Sequence, residues 1–302
     1  MREIIETDIP SIRKLLRDIL EENDYQYIER MGGLTNHTYK VVLKDGRIYV
    51  VRLPGEGTEV LINREDERVS TQLACRLGID AQMLYFGGHG EKVSCYIDGA
   101  LTMCASDFGN ENVLKQAAEI FRLLHTSGAD TNVLFDVFDM AAGYERIIND
   151  NAVALFDDYT EIKAKVLRIR NYVEMATDMS LVPCHNDPLC ENWVMDKDGK
   201  LYLIDWEYAG MNDGMWDLAD LSIEAGFSNV QDEALLRYYF EREPKQEERI
   251  RFCANKLYLD FLWALWGKAR VPFDGEAMEI YGQDRYIRLN KNLSHFLHLF
   301  PI

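Results

Sequence analysis

In the N-terminal third of the chain, short apolar runs carry the two-residue period of strands. Residues 37–43 (HTYKVVL) and 47–53 (RIYVVRL) read as a hairpin turning at Lys44-Asp45-Gly46, whose Asp-Gly dipeptide suits positive φ. Residues 59–77 (EVLINREDERVSTQLACRL) predict a helix closed by Gly78. Residues 82–87 and 93–98 predict two more strands. Beyond about residue 105 the period lengthens. In NVLKQAAEIFRLLH the apolar residues Val113, Ala117, Ile120, Phe121 and Leu124 recur at helical spacing. Residues 153–178 and 232–268 read as largely helical, and 181–220 as loop-rich, with short strands at 193–196 and 201–205. No internal repeat or low-complexity linker interrupts the chain. The expected class is α+β in two lobes: a β-rich N-terminal lobe, a hinge near 98–105, and a helical C-terminal lobe, with a ligand cleft between them.

Composition narrows the function. With 302 residues the chain is long enough for two lobes. Its net charge of −18 argues against nucleic acid or an anionic membrane as partner and is compatible with a cationic substrate. The plainer account of most of these charges is a solvated acidic surface. No apolar run is long enough for a transmembrane helix, and the charged start MREIIETDIPSIRKLL has no apolar signal core, so a cytoplasmic location is expected. The six cysteines form no CxxC pair and are read as reduced thiols; the six histidines show no zinc-ligand spacing. His295 and His298 are placed on one face of a helical tail.

The chemistry concentrates in His185-Asn186-Asp187-Pro188-Leu189-Cys190-Glu191-Asn192, followed by Leu203-Ile204-Asp205-Trp206-Glu207. Phosphoryl transfer from ATP needs a carboxylate to accept or orient the proton of the attacking hydroxyl, and oxygen ligands for Mg²⁺ on the phosphates. Asp187 is placed to be that base, with Asn192 and Asp205 as metal ligands. Each of these residues alone would be read as a cap or turn former; their order and spacing together point to a kinase. Met31-Gly32-Gly33-Leu34-Thr35-Asn36-His37 is a second signal. Adjacent glycines let backbone N–H groups approach phosphate, and Thr35 and Asn36 add side-chain donors. No GxxxxGK[ST] motif is present, which argues against a P-loop enzyme. Arg52 supplies a cation for the phosphates, and Glu65 and Glu67 on the following helix are its possible acidic partners.

These segments resemble the choline/ethanolamine kinase family, which is related to aminoglycoside phosphotransferases and eukaryotic protein kinases. The likeness runs through GGLTNHTY, VVRLPGEGTE, CHNDPLCEN and, most specifically, LIDWEYAGMNDGMWDLADLSIE. It implies a protein-kinase-like fold, with residues 1–100 as nucleotide-binding lobe and 101–302 as catalytic and substrate-binding lobe. It implies Asp187 as catalytic base, and Asn192 and Asp205 on Mg²⁺. Gly33, Thr35 and Asn36 fall in the nucleotide loop, with Arg52 on phosphate, and spacing to Gly78 favours Glu67 over Glu65 as its partner. Cys95-Tyr96-Ile97 is the implied hinge strand, Ile97 offering backbone to adenine. Trp206 departs from the family's usual Phe, and Pro188-Leu189-Cys190-Glu191 lacks its usual glycine.

The substrate implied is choline, which with ATP would give phosphocholine. A quaternary ammonium has no N–H to donate and is held by aromatic faces and by carboxylates at longer range. Trp263 and Trp266 stand at i and i+3 on one helical face, Tyr281 follows, and Glu224 lies nineteen residues beyond Asp205. All four match the family's choline pocket, although a WxxW pair alone would be read as core. Ethanolamine or another amino alcohol is the rival substrate. An aminoglycoside fits less well, because it needs a wide acidic cleft. A non-catalytic scaffold would be expected to lack one of Asp187, Asn192 and Asp205.

Overall fold

The computed structural model describes residues 4–31, 36–55 and 62–301. An amphipathic helix α1 (Ile9–Leu20) opens the chain, with Pro10 in its first turn, where a missing N–H costs nothing. It packs Ile12, Leu15 and Leu16 on a sheet whose inner face presents Tyr39, Val41, Val51 and Val93. The sheet is formed by β1 (Tyr27–Arg30), β2 (Asn36–Val42), β3 (Ile48–Pro54), β4 (Met83–Phe86) and β5 (Lys92–Cys95), in the order β1-β2-β3-β5-β4. All four pairings are antiparallel. The β2–β3 hairpin turns at Gly46, whose φ is +91°, as the sequence predicts.

Helix α2 (Arg64–Leu77) starts later than the periodicity suggests. Asn63 caps it, its side chain accepting the backbone N–H groups of Glu65 and Asp66, and residues 62 and 63 are not helical. Gly78 closes it at φ +70°. Strand β5 ends at Cys95, so Tyr96 and Ile97 belong to the connection rather than to a strand running to 98.

The helical region holds the larger core. Its elements are β6 (Leu101–Thr102), α3 (Glu111–His125), α4 (Val137–Asp150), α5 (Tyr159–Ala176), β7 (Leu181–Cys184), β8 (Trp193–Met195), β9 (Leu201–Leu203), β10 (Gly210–Asp213), α6 (Met215–Glu224), α7 (Asn229–Phe240), α8 (Gln246–Asp274) and α9 (Glu276–Leu299). Two small antiparallel sheets, β6-β8-β9 and β7-β10, frame the segment read as loop-rich. The helical run expected over 232–268 is two helices, broken where Glu241 turns left-handed and Pro244 follows. Residues 153–158 precede α5 and are not helical. Strand β9 stops at Leu203, short of the 205 expected, because Asp205 takes a left-handed φ of +68° that no strand accommodates.

Helix α8 is buried over most of its circumference, and α9 lies against it at backbone contact distance. A Cβ on Gly267 would stand 2.8 Å from the Cα of Gly282. Among the described residues no helix is long and apolar enough to cross a membrane. All six cysteines are free thiols, and Cys184 and Cys190 are buried.

Candidate active site

Buried hydrogen bonds tie the segment 185–192 to its surroundings. His185 donates from Nε2 to the Ile204 carbonyl at 2.9 Å and accepts at Nδ1 from the Asp187 N–H at 3.3 Å. Burial lowers the pKa of this ring, against the pull of Asp217, so the neutral imidazole fits both bonds. The Asn192 amide donates to the Asp187 carbonyl at 2.9 Å, and the Ile204 N–H donates to the Asn192 carbonyl at 2.9 Å. Asp187, Asn192 and the approach to Asp205 therefore form one bonded unit. Beneath it, Asp217 at the start of α6 accepts the backbone N–H groups of His185 and Asn186, each at 2.8 Å. The same carboxylate accepts from His125, which also meets the Tyr239 hydroxyl. His125, Cys184 and Asp217 are close enough to suggest a metal group. The hydrogen bonds to Asp217 and His125 make a scaffold of them instead.

Asp187 sits in a field of like charge. Burial, then Asp205, Glu207 and Glu224, push its carboxyl well above the ordinary range. Such a group is a better proton acceptor than a surface aspartate. Asp205 has a buried Oδ1 that accepts no hydrogen bond.

Facing this unit from the sheet side is a cluster of interlocked charges. Arg52 on β3 forms a buried ion pair with Glu67 on α2, donates to the Gly90 carbonyl at 2.9 Å, and approaches Asp205 to 3.7 Å. Glu65 is exposed and pairs with Arg68, which settles the two acidic candidates in favour of Glu67. Burial would push Glu67 up, but Arg52, Lys92 and Arg64 hold it below its usual value. Arg64 joins Glu67 at 2.7 Å and reaches Glu207 at 3.7 Å, while Asn36 donates to Glu207 at 3.1 Å. Asn36 thus links β2 to the segment after Asp205. Gly90 permits this packing, since a Cβ there would meet the Arg64 side chain at 2.6 Å. Gly33 and Thr35 lie outside the described residues. Ile97 follows β5, and its carbonyl is occupied by the Ala100 N–H.

On the other side, aromatic rings form a continuous chain. Tyr208 meets Trp263 edge-on with centroids 5.8 Å apart, Trp263 meets Trp266 at 6.0 Å, and Trp266 meets Tyr281 at 5.5 Å. The WxxW pair packs in the core of the helical region and meets Tyr208, which follows Asp205 by three residues. Burial raises Tyr281 to about 12. Burial also raises Tyr208, and Asp187 is among the charges acting on it. Glu224 is not free: Arg285 lies 2.6 Å from its Oε1 and also donates to the Tyr281 hydroxyl at 3.0 Å.

Sequence alone assigns no site role to Arg64, Glu207, Tyr208 or Arg285. Tyr208 had a signal, since it stands within the same LIDWEYAG block as Asp205.

The family model for choline/ethanolamine kinase matches residues 28–270. The chain belongs to the choline/ethanolamine kinase family. Its fold is the two-lobed protein-kinase-like fold, and it is a phosphotransferase with an alcohol acceptor. A choline/ethanolamine kinase family protein from Mesorhizobium loti is 33% identical with a TM-score of 0.81, over 95% of this chain and 98% of that one. The choline kinase LicA from Streptococcus pneumoniae is 30% identical with a TM-score of 0.81, over 96% and 100%. A structure of LicA in complex with AMP is 28% identical with a TM-score of 0.77, over 95% and 98%.

Proposed function

We propose that this family member transfers the γ-phosphate of ATP to the hydroxyl of choline, giving phosphocholine and ADP. The observation that carries the reading is the aromatic chain from Tyr208 through Trp263 and Trp266 to Tyr281, which begins beside the catalytic segment. A trimethylammonium group spreads its charge over methyl hydrogens, and ring faces can surround it. In this reading Asp187 accepts or orients the choline hydroxyl proton, and alignment and charge neutralisation supply most of the rate. Arg52, steadied by Glu67, faces the phosphates, with Gly33, Thr35 and Asn36 at the nucleotide loop and Ile97 at the adenine side. The AMP complex of LicA supports an adenine nucleotide as the donor.

The residues present fit Mg²⁺. Asp205 keeps a buried oxygen without a hydrogen-bond donor, and Asn192 spends its amide nitrogen on the Asp187 carbonyl, which leaves the amide oxygen as its remaining ligand atom. Asp205 and Asn192 would hold the ion, which neutralises phosphate charge when bound. The lobes divide at 100/101 in this reading. The five-stranded sheet lies within 27–95, and β6 already pairs with β8 of the helical region.

The test is ADP release from MgATP over choline, ethanolamine and kanamycin. Choline should have the highest kcat/KM. A higher value for ethanolamine would make the protein an ethanolamine kinase, and activity on kanamycin alone would overturn the aromatic-cage argument.

A further inference from the structure

Helix α6 carries Asp217, Asp220 and Glu224 at i, i+3 and i+7, a single stripe. Both ends of the stripe are compensated. Asp217 accepts the two backbone N–H groups of the catalytic segment and a bond from His125. Glu224 faces Arg285, and Arg285 and Arg288 together face Glu224 and Asp260, two cations against two acids. Asn292 also donates to Asp260. The middle residue differs. Asp220 is 1% exposed, and neither of its carboxyl oxygens has a hydrogen-bond partner.

Among charges, Glu224 and then Asp187 act most strongly on Asp220, Arg285 opposes them, and Asp217 adds less. On α6 it stands one turn from Asp217, which holds the His185–Asn186 backbone, and one turn from Glu224, whose partner Arg285 donates to Tyr281, so the stripe runs from the reacting centre toward the aromatic chain. Burial, then Glu224 and Asp187, push its carboxyl well above the ordinary range, and a cation arriving nearby restores its charge.

We propose that Asp220, rather than Glu224, supplies the uncompensated negative charge that recognises the substrate's quaternary ammonium, which makes it a specificity-determining residue. The inference rests on the choline reading above. A cation without N–H groups needs charge balance but no acceptor atom within reach, so a carboxylate closed off behind the pocket wall serves it. A primary ammonium must bond three N–H groups on leaving water, and the shielded oxygens of Asp220 offer them nothing. The same carboxylate thus favours the quaternary cation over the primary one.

The experiment compares choline with 3,3-dimethylbutan-1-ol, its neutral carbon isostere, as substrates of the full chain. Asp220→Asn should raise KM for choline about tenfold or more, while KM for the isostere and for ATP stays within about twofold. The paired variant Glu224→Gln/Arg285→Gln removes opposite charges together and should largely keep the preference for choline over the isostere. Asp220→Ser also removes the charge and must repeat the split. If Asp220→Asn keeps the choline preference, or raises all three KM values alike, the proposal falls. It falls also if neither Asp220 variant folds, because the residue is then a structural element. If the unmutated protein phosphorylates neither alcohol, the substrate reading fails instead, and the two failures are told apart.

Discussion

The two walls of the site are built by opposite means. On the sheet side, Arg52, Arg64, Glu67 and Glu207 interlock as buried charges drawn from β3, α2 and the segment after β9. On the helical side, Tyr208, Trp263, Trp266 and Tyr281 meet edge to face, with the Glu224–Arg285 pair and the buried Asp220 beside them. A wall of buried charges suits a polyanion and fails abruptly when one partner is lost. A wall of rings suits a diffuse cation and weakens in proportion to the face removed. The two walls meet at Asp187.

The largest effect expected is from Asp187→Asn, which removes neither a charge pair from one wall nor a ring from the other. Turnover should fall by about two to four orders of magnitude while ATP affinity stays nearly intact. A purified variant keeping more than a tenth of wild-type kcat would remove Asp187 from the role. Next comes the charged wall. Glu67→Ala strands Arg52 as a buried cation, which should cost about 3–5 kcal/mol of stability and raise KM for ATP, with KM for choline little changed. Chemical denaturation with paired KM measurements reads both, and an equal rise in the two KM values would erase the distinction between the walls. Trp263→Leu restores most of the apolar volume without a π-face. Losing a desolvated cation–π contact of about 2 kcal/mol should raise KM for choline about thirtyfold, with KM for ATP unchanged. Choline binding like wild type would make the tryptophans core packing. The smallest effect is Tyr208→Phe, which keeps the ring: KM for choline should move by less than about threefold, whereas Tyr208→Ala should approach the Trp263 variant. A large effect of Phe would mean that the hydroxyl, not the ring, is used.

Much of this was legible beforehand, for physical reasons that also mark where legibility stops. The β2–β3 hairpin and the end of α2 follow from local turn and cap chemistry at Gly46 and Gly78. Asp187, Asn192 and Asp205 are set apart by spacing within one stretch of chain. Arg64 and Glu207 were not foreseen, because their pairing joins α2 to a segment far along the chain, and an ordinary charged residue carries no local sign of such a partner. Asp220 was missed because an aspartate in an amphipathic helix reads as solvated until its burial is known. The strand expected through Asp205 failed at one backbone torsion that the apolar pattern does not encode.

Under the proposed choline reading, the contact between Gly267 and Gly282 bears on the size of ligand the pocket admits. Each glycine is the neighbour of a pocket ring, Trp266 in one helix and Tyr281 in the other. The separation of those rings is therefore gauged by main chain against main chain, with no rotamer in between to yield. A methyl added at Gly267 would act as a shim, moving a whole helix rather than one side chain. The girth of the onium group that fits could then be retuned in a single step, leaving the reacting residues untouched.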